Sequence, residues 1–149
     1  PGYVRAVSRD PADAPVVQPN YLAAEADQRI TLAGLRLARA LLNSPELAPF
    51  FETETLPGAA VNSDDELLDF ARQRGNTGYH LVGTCRMGPA TDATAVVDDE
   101  LRVHGVGNLR VIDASIMPML PSANTFASTI AIAEKGADLI RGREAGAAS

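Results

Sequence analysis

The chain has 149 residues, enough for one ordinary domain with a real core. Hydrophobic residues make up 46% and charged residues 21%, which places it with globular rather than disordered chains. The net charge of −6, with no basic patch, argues against a nucleic-acid partner.

A single cysteine, Cys85, excludes an internal disulfide framework and fits a reducing compartment, so a cytoplasmic location is expected. The longest uncharged run, 114–133, holds Pro118, Pro121, Ser122, Asn124 and Thr125. It reads as a buried segment, and no transmembrane segment is expected. The start, Pro1-Gly2-Tyr3, reads as the middle of a longer protein.

In chain order, 2–9 alternates enough for a short strand, and Asp10-Pro11 stops it. Residues 14–18 can pair back as a second strand. The first helix is predicted over 25–42, with Ile30, Gly34, Leu37 and Leu41 on its core face and Arg29, Arg36 and Arg39 mostly off it. Ser44-Pro45 predicts a short helix over 45–50. Residues 52–62 read as a loop around Pro57-Gly58. Ser63 and Glu66 form a capping box for a helix that ends at Gly75.

Residues 77–82 read as a strand, and Gly83 to Gly88 as an irregular loop. A hairpin is predicted from 95–97 and 101–103, followed by a buried strand over 109–113. Pro118 and Pro121 enforce a bend. The last helix is predicted over 124–141, with Phe126, Ile130, Ala133, Ala137 and Ile140 as its core face. Its first half is uncharged, so its N-terminus is expected to point inward. Residues 142–149 read as a frayed tail.

Few residues carry chemistry. An inward helix N-terminus at Asn124, Thr125 and Phe126 suits an anionic group. On helix pattern alone, Asn124 reads as the cap of a core helix, and His80 as a half-buried strand histidine bonded to a backbone carbonyl. His104 lies at a Gly-flanked hairpin end and is expected in solvent. Two histidines without further ligands make no zinc site, so no metal is expected. Cys85 reads as a structural thiol and Arg86 as an ion-pair donor.

Three stretches then point one way: Tyr79-His80 with Gly83-Thr84-Cys85-Arg86-Met87-Gly88; Leu101 to Val106 with Asn108 to Pro118; and Asn124-Thr125 with Ile130 to Lys135 and Ala137 to Ile140. In order and spacing they resemble the glucose–methanol–choline (GMC) oxidoreductases, flavin enzymes that oxidise alcohols, in the choline-dehydrogenase-like branch. The resemblance covers nearly the whole chain and matches that family's C-terminal region.

The resemblance implies FAD as cofactor and a small-molecule alcohol as substrate. It makes His80 the general base that takes the hydroxyl proton as hydride leaves for flavin N5. Asn124 would hydrogen-bond the substrate oxygen. Asp113 and Ala114 would contact the pyrophosphate and ribityl part of FAD, Thr125 and Phe126 the pyrimidine edge through their backbone, and Tyr79 the ring.

The implied fold is α+β: an antiparallel sheet with helices on one side over 1–108, the substrate-binding domain, then a strand and helix over 109–149 that return to the FAD-binding domain. The Gly-x-Gly-x-x-Gly fingerprint is absent. The remaining FAD-binding part is therefore the expected partner, and a homodimer is left open. Alone, the chain is expected to be an inactive fragment. Two alternatives share the scaffold: a redox-silent lyase of the hydroxynitrile type and a non-catalytic binding module.

Overall fold

Gly2 opens a short hairpin in a conformation that admits no side chain. A Cβ there would lie 2.1 Å from the Gln18 carbonyl oxygen. The computed structural model describes residues 2–142; of the tail read over 142–149, all but Gly142 lies outside them. β1 (Tyr3–Arg5) and β2 (Val16–Gln18) pair antiparallel with Tyr3 opposite Gln18, Val4 opposite Val17 and Arg5 opposite Val16. Both strands are shorter than predicted. Together with three α-helices they make a small α+β structure. Among the described residues this is the one multi-residue sheet, narrower than the sheet expected. No helix among them is long and apolar enough to cross a membrane.

The chain divides between Asn76 and Thr77 into two units. In the first, α1 (Glu25–Leu42) packs on α2 (Asp64–Arg74). The capping box forms as predicted: the Glu66 amide donates to the Ser63 hydroxyl at 3.3 Å, and the Ser63 amide donates to the Glu66 carboxylate at 3.0 Å. The Ser63 amide, then its hydroxyl, which donates to the same carboxylate at 2.8 Å, hold the Glu66 carboxyl below its ordinary value. Leu67 and Leu68 of α2 are buried.

The core face of α1 differs from the prediction. Ile30 is 71% exposed, and Leu37 and Leu41 are exposed with it. The half-buried positions are Gln28, Thr31, Leu32, Leu35 and Arg39. The helix carries two apolar stripes, and the one turned inward includes an arginine because that arginine is paired. Arg39 forks onto Glu54 through Nε at 2.9 Å and Nη2 at 2.7 Å, and Nη2 also donates to the Gly58 carbonyl at 3.0 Å. The loop over 52–62 is thereby tied to the helix. The Arg39 hydrogen bond holds the Glu54 carboxyl below its ordinary value. The short helix predicted over 45–50 is a turn followed by one 3-10 turn, Ala48–Phe50.

The second unit is built on Val97, Leu101 and Ile116, with Met87, Val103, Val111, Ile112, Ile132 and Leu139 packed around them. The predicted hairpin and the strand over 109–113 are reduced to single bridges, Met87 with Val97, Val97 with Val103 and Arg102 with Arg110. Leu101 at φ 65°, Gly105 at 74° and Asn108 at 60° explain this, because left-handed residues turn a strand off its ladder. The backbone groups are still satisfied, for instance Val103 N–H to Leu109 O at 3.0 Å and Val111 N–H to Leu101 O at 3.1 Å.

α3 (Thr125–Arg141) ends at Gly142, whose φ of 68° is the left-handed cap that glycine favours. Its inward face is the stripe Thr125, Thr129, Ile132, Gly136 and Leu139. Apart from Ala137, which is half-buried, the predicted stripe lies one residue, about 100°, around the helix. Phe126 is 70% exposed, with Ile130 and Ile140 also exposed. Gly136 decides the rotation: a Cβ there would come within 2.4 Å of Ile112 Cγ2, so Ile112 seats directly on the helix backbone.

Candidate active site

The predicted strand over 77–82 does not form, and its failure shapes the site. Tyr79 takes φ 59°, a conformation that costs a bulky L-residue about 1–2 kcal/mol. Its amide donates to Thr77 Oγ1 at 3.0 Å. The kink makes His80 the first residue after a turn. Gly83 follows at φ 89°, where a Cβ would meet the Met117 carbonyl oxygen at 3.4 Å.

Beyond it the loop is zipped to the segment before the proline bend. Cys85 N–H donates to Ser115 O at 3.0 Å and Met87 N–H to Ile116 O at 2.8 Å. The segment 114–116 is a 3-10 turn, capped by Asp113 and packed against α3. These contacts carry the His80 loop to the start of α3.

There His80 and Asn124, 44 positions apart, meet. Asn124 Nδ2 lies 3.1 Å from His80 Nε2. Asn124 Oδ1 accepts the Phe126 amide at 2.9 Å, so the asparagine is also the cap of α3. On the other edge of the ring, His80 Nδ1 lies 2.9 Å from Thr125 Oγ1. Sequence reasoning assigned Thr125 a backbone role only. Its side-chain contact had one available signal, a hydroxyl residue directly after the capping asparagine.

The N-terminus of α3 is not sunk in this chain. Thr125 is 7% exposed, but Asn124, Phe126 and His80 are exposed, and Tyr79 is 82% exposed. The uncharged first half of the helix reflects surface left bare here. Asp113 Oδ1 accepts from the Ser115 amide at 2.8 Å, and Ala114 opens the turn. No hydrogen bond among those described joins Asp113 or Ala114 to the His80 group.

His104 also departs from its reading. It is half-buried, and Nε2 donates to the Gly88 carbonyl at 3.0 Å, bracing the end of the loop. Cys85 is half-buried and unbonded to sulfur. Arg86 is an ion-pair donor as predicted. It reaches Asp92 at 3.3 Å and Thr94 Oγ1 at 2.9 Å. The Asp92 carboxyl is held below its ordinary value first by the Thr94 hydroxyl and amide, then by Arg86. No group of His, Cys, Asp and Glu able to hold a metal occurs among the described residues.

An imidazole and a carboxamide stand side by side at an exposed helix start, flanked by bare aromatic side chains, groups that can accept a proton and donate hydrogen bonds. Comparison with known proteins gives the family. The family model described as GMC oxidoreductase matches residues 1–133, and the chain belongs to that family.

It is 47% identical over 139 residues to the alcohol dehydrogenase [acceptor] of Pseudomonas putida, covering 93% of this chain and 25% of that protein. It is 46% identical over 144 residues to the mitochondrial choline dehydrogenase of Homo sapiens, covering 97% and 24%. Among solved structures it superposes on pyridoxine 4-oxidase from Mesorbium loti with a TM-score of 0.86 and 38% identity, covering 97% of this chain and 28% of that one. It superposes on an FAD-dependent oxidoreductase from Chaetomium thermophilum with a TM-score of 0.87 and 31% identity, covering 95% and 24%. The chain thus spans about a quarter of the length of the curated relatives it matches.

Proposed function

We propose that this chain is the C-terminal portion of an FAD-dependent alcohol oxidoreductase in which His80 is the base and Asn124 the hydrogen-bond donor to the substrate oxygen. The observation that carries the reading is the 3.1 Å contact between Asn124 Nδ2 and His80 Nε2. An alcohol oxygen that takes the place of that direct contact, between the two nitrogens, can lose its proton to the imidazole while the carboxamide steadies the charge that develops.

The residues suit a flat ring with a polar edge. Tyr79 and Phe126 offer exposed aromatic faces. The N–H groups of Thr125 and Ala127 stand in the first turn of α3, where a helix has no internal acceptor for them. That end also carries partial positive charge, worth about 0.3–1 kcal/mol toward a nearby anion. FAD, when bound, supplies the acceptor for the two electrons of the alcohol.

With FAD bound, the chain's part would be to place the imidazole, donate from Asn124, and meet the pyrimidine edge through the backbone at Thr125 and Phe126, where the Phe126 N–H is shared with Asn124 Oδ1. Tyr79 would lie against the ring, and Asp113 with Ala114 would take the pyrophosphate and ribityl part. Residues 1–108 belong to the substrate-binding domain and 109–149 to the FAD-binding domain, whose larger part is supplied from outside this chain.

The test uses the full-length flavin-loaded enzyme with His80→Ala. Alcohol-driven loss of flavin absorbance should slow by about 10²–10⁴-fold, the usual contribution of a positioned acid–base group. A wild-type rate rejects His80 as the base.

A further inference from the structure

The proton on His80 can be traced from a group whose role is not in question. The Phe126 backbone N–H can only donate, and it donates to Asn124 Oδ1 at 2.9 Å. That bond fixes which way the carboxamide faces, because the oxygen is engaged and the NH₂ group is the one presented to His80. Nδ2 can only donate, so His80 Nε2, 3.1 Å away, accepts and carries no hydrogen. A neutral imidazole keeps its one proton on the other nitrogen. Nδ1–H therefore donates to Thr125 Oγ1 at 2.9 Å.

From this chain of bonds we infer that the Thr125 side chain is a positioning residue: it accepts from Nδ1–H and holds His80 in the tautomer that leaves Nε2 as the basic nitrogen. The inference deepens the reading of His80 as the base and rests on it. Thr125 is well placed for the role. Among the described residues it is the one buried polar side chain. Its own carbonyl accepts the Thr129 hydroxyl at 2.8 Å, which fastens the first turn of the helix around it. The opposite tautomer would put Nε2–H against the NH₂ of Asn124, donor against donor. Escaping that clash by turning the carboxamide would uncap α3. The helix cap and the proton position on the base are thus one linked choice, and Thr125 closes it on the far edge of the ring.

The experiment is long-range proton–nitrogen NMR on the flavin-loaded enzyme with ¹⁵N-labelled histidine. His80→Gln assigns the signal, and spectra are taken over a pH series so that the neutral form is read. Wild type and Thr125→Ser should each show His80 with Nδ1 protonated and Nε2 bare. Thr125→Val removes the acceptor and should shift the tautomer ratio toward Nε2–H by roughly fivefold, the population equivalent of one net hydrogen bond.

Wild type with Nε2–H, or Thr125→Val with an unchanged ratio, overturns the inference. If Thr125→Val does not fold, Thr125→Ser decides alone, and a folded serine variant with mixed tautomers also overturns it. Failure of the base assignment itself reads out separately, as unchanged flavin reduction in His80→Ala.

Discussion

Replacing glycine by alanine at two helix interiors should act in opposite directions. Gly34 lies in mid α1, and a Cβ there meets nothing within 4 Å. Gly34→Ala should therefore stabilise α1 by about 1 kcal/mol, the intrinsic helix gain of alanine over glycine. Gly136 lies in α3, and its Cβ would come to 2.4 Å from Ile112 Cγ2 and 2.9 Å from Cδ1.

Real Cβ atoms do not come that close, and Cγ2 is a branch beside the backbone rather than a loose end. Overpacking of this kind costs about 1–3 kcal/mol. Set against the same 1 kcal/mol helix gain, Gly136→Ala should be destabilising by about 0–2 kcal/mol. The gap between the two variants, about 1–3 kcal/mol, isolates the clash; as an opening equilibrium it is roughly five- to 150-fold. Amide hydrogen exchange read separately on α1 and α3 peptides measures it. Adding Ile112→Ala to Gly136→Ala should recover most of the penalty as a coupling term. Equal stabilisation by both alanines would refute the packing of α3 on Ile112.

The assignment of the α1 and α2 faces can be checked by truncation. Leu67→Ala, at a side chain with 0% exposure, should cost about 2–5 kcal/mol in urea unfolding, while Leu37→Ala should change it by less than about 0.5 kcal/mol. The reverse order would restore the core face read from periodicity. The Glu54 tie carries a pH signature. Its folded value is lowered from the ordinary 4.5 first by the Arg39 hydrogen bond, so its stabilisation is present above that value and is lost as pH falls through the folded one. Exchange protection of residues 52–62 should exceed that of Glu54→Gln at neutral pH and converge with it in acid; a difference independent of pH would reject the tie.

Much of the site was legible because chemistry at helix ends is local. Ser63 with Glu66 and Asn124 with its following amides announce caps, since an orphan N–H needs an acceptor within three residues. Tyr79-His80 and Asn124-Thr125 stand out by type and by their resemblance to one family's order. That the strands read over 77–82, 95–97, 101–103 and 109–113 would not form was not legible. Tyr79, Leu101 and Asn108 take positive φ, a choice made by the contacts each residue closes rather than by its identity. His104 read as solvent-exposed because its acceptor, the Gly88 carbonyl, lies 16 positions back.

The amino-acid order by itself determined where the three α-helices begin and end, to within a residue, and the family, and through that resemblance which two polar side chains would face each other across 44 positions. Only the tertiary structure decided which stripe of α1 and α3 turns inward. Periodicity fixes a stripe's spacing but not its rotation when a helix carries two. Here Arg39 is drawn in by Glu54, and Gly136 admits Ile112. The tertiary structure alone also decided the Thr125 contact, because which nitrogen of a histidine keeps its proton depends on the donors and acceptors that folding sets on either edge of the ring.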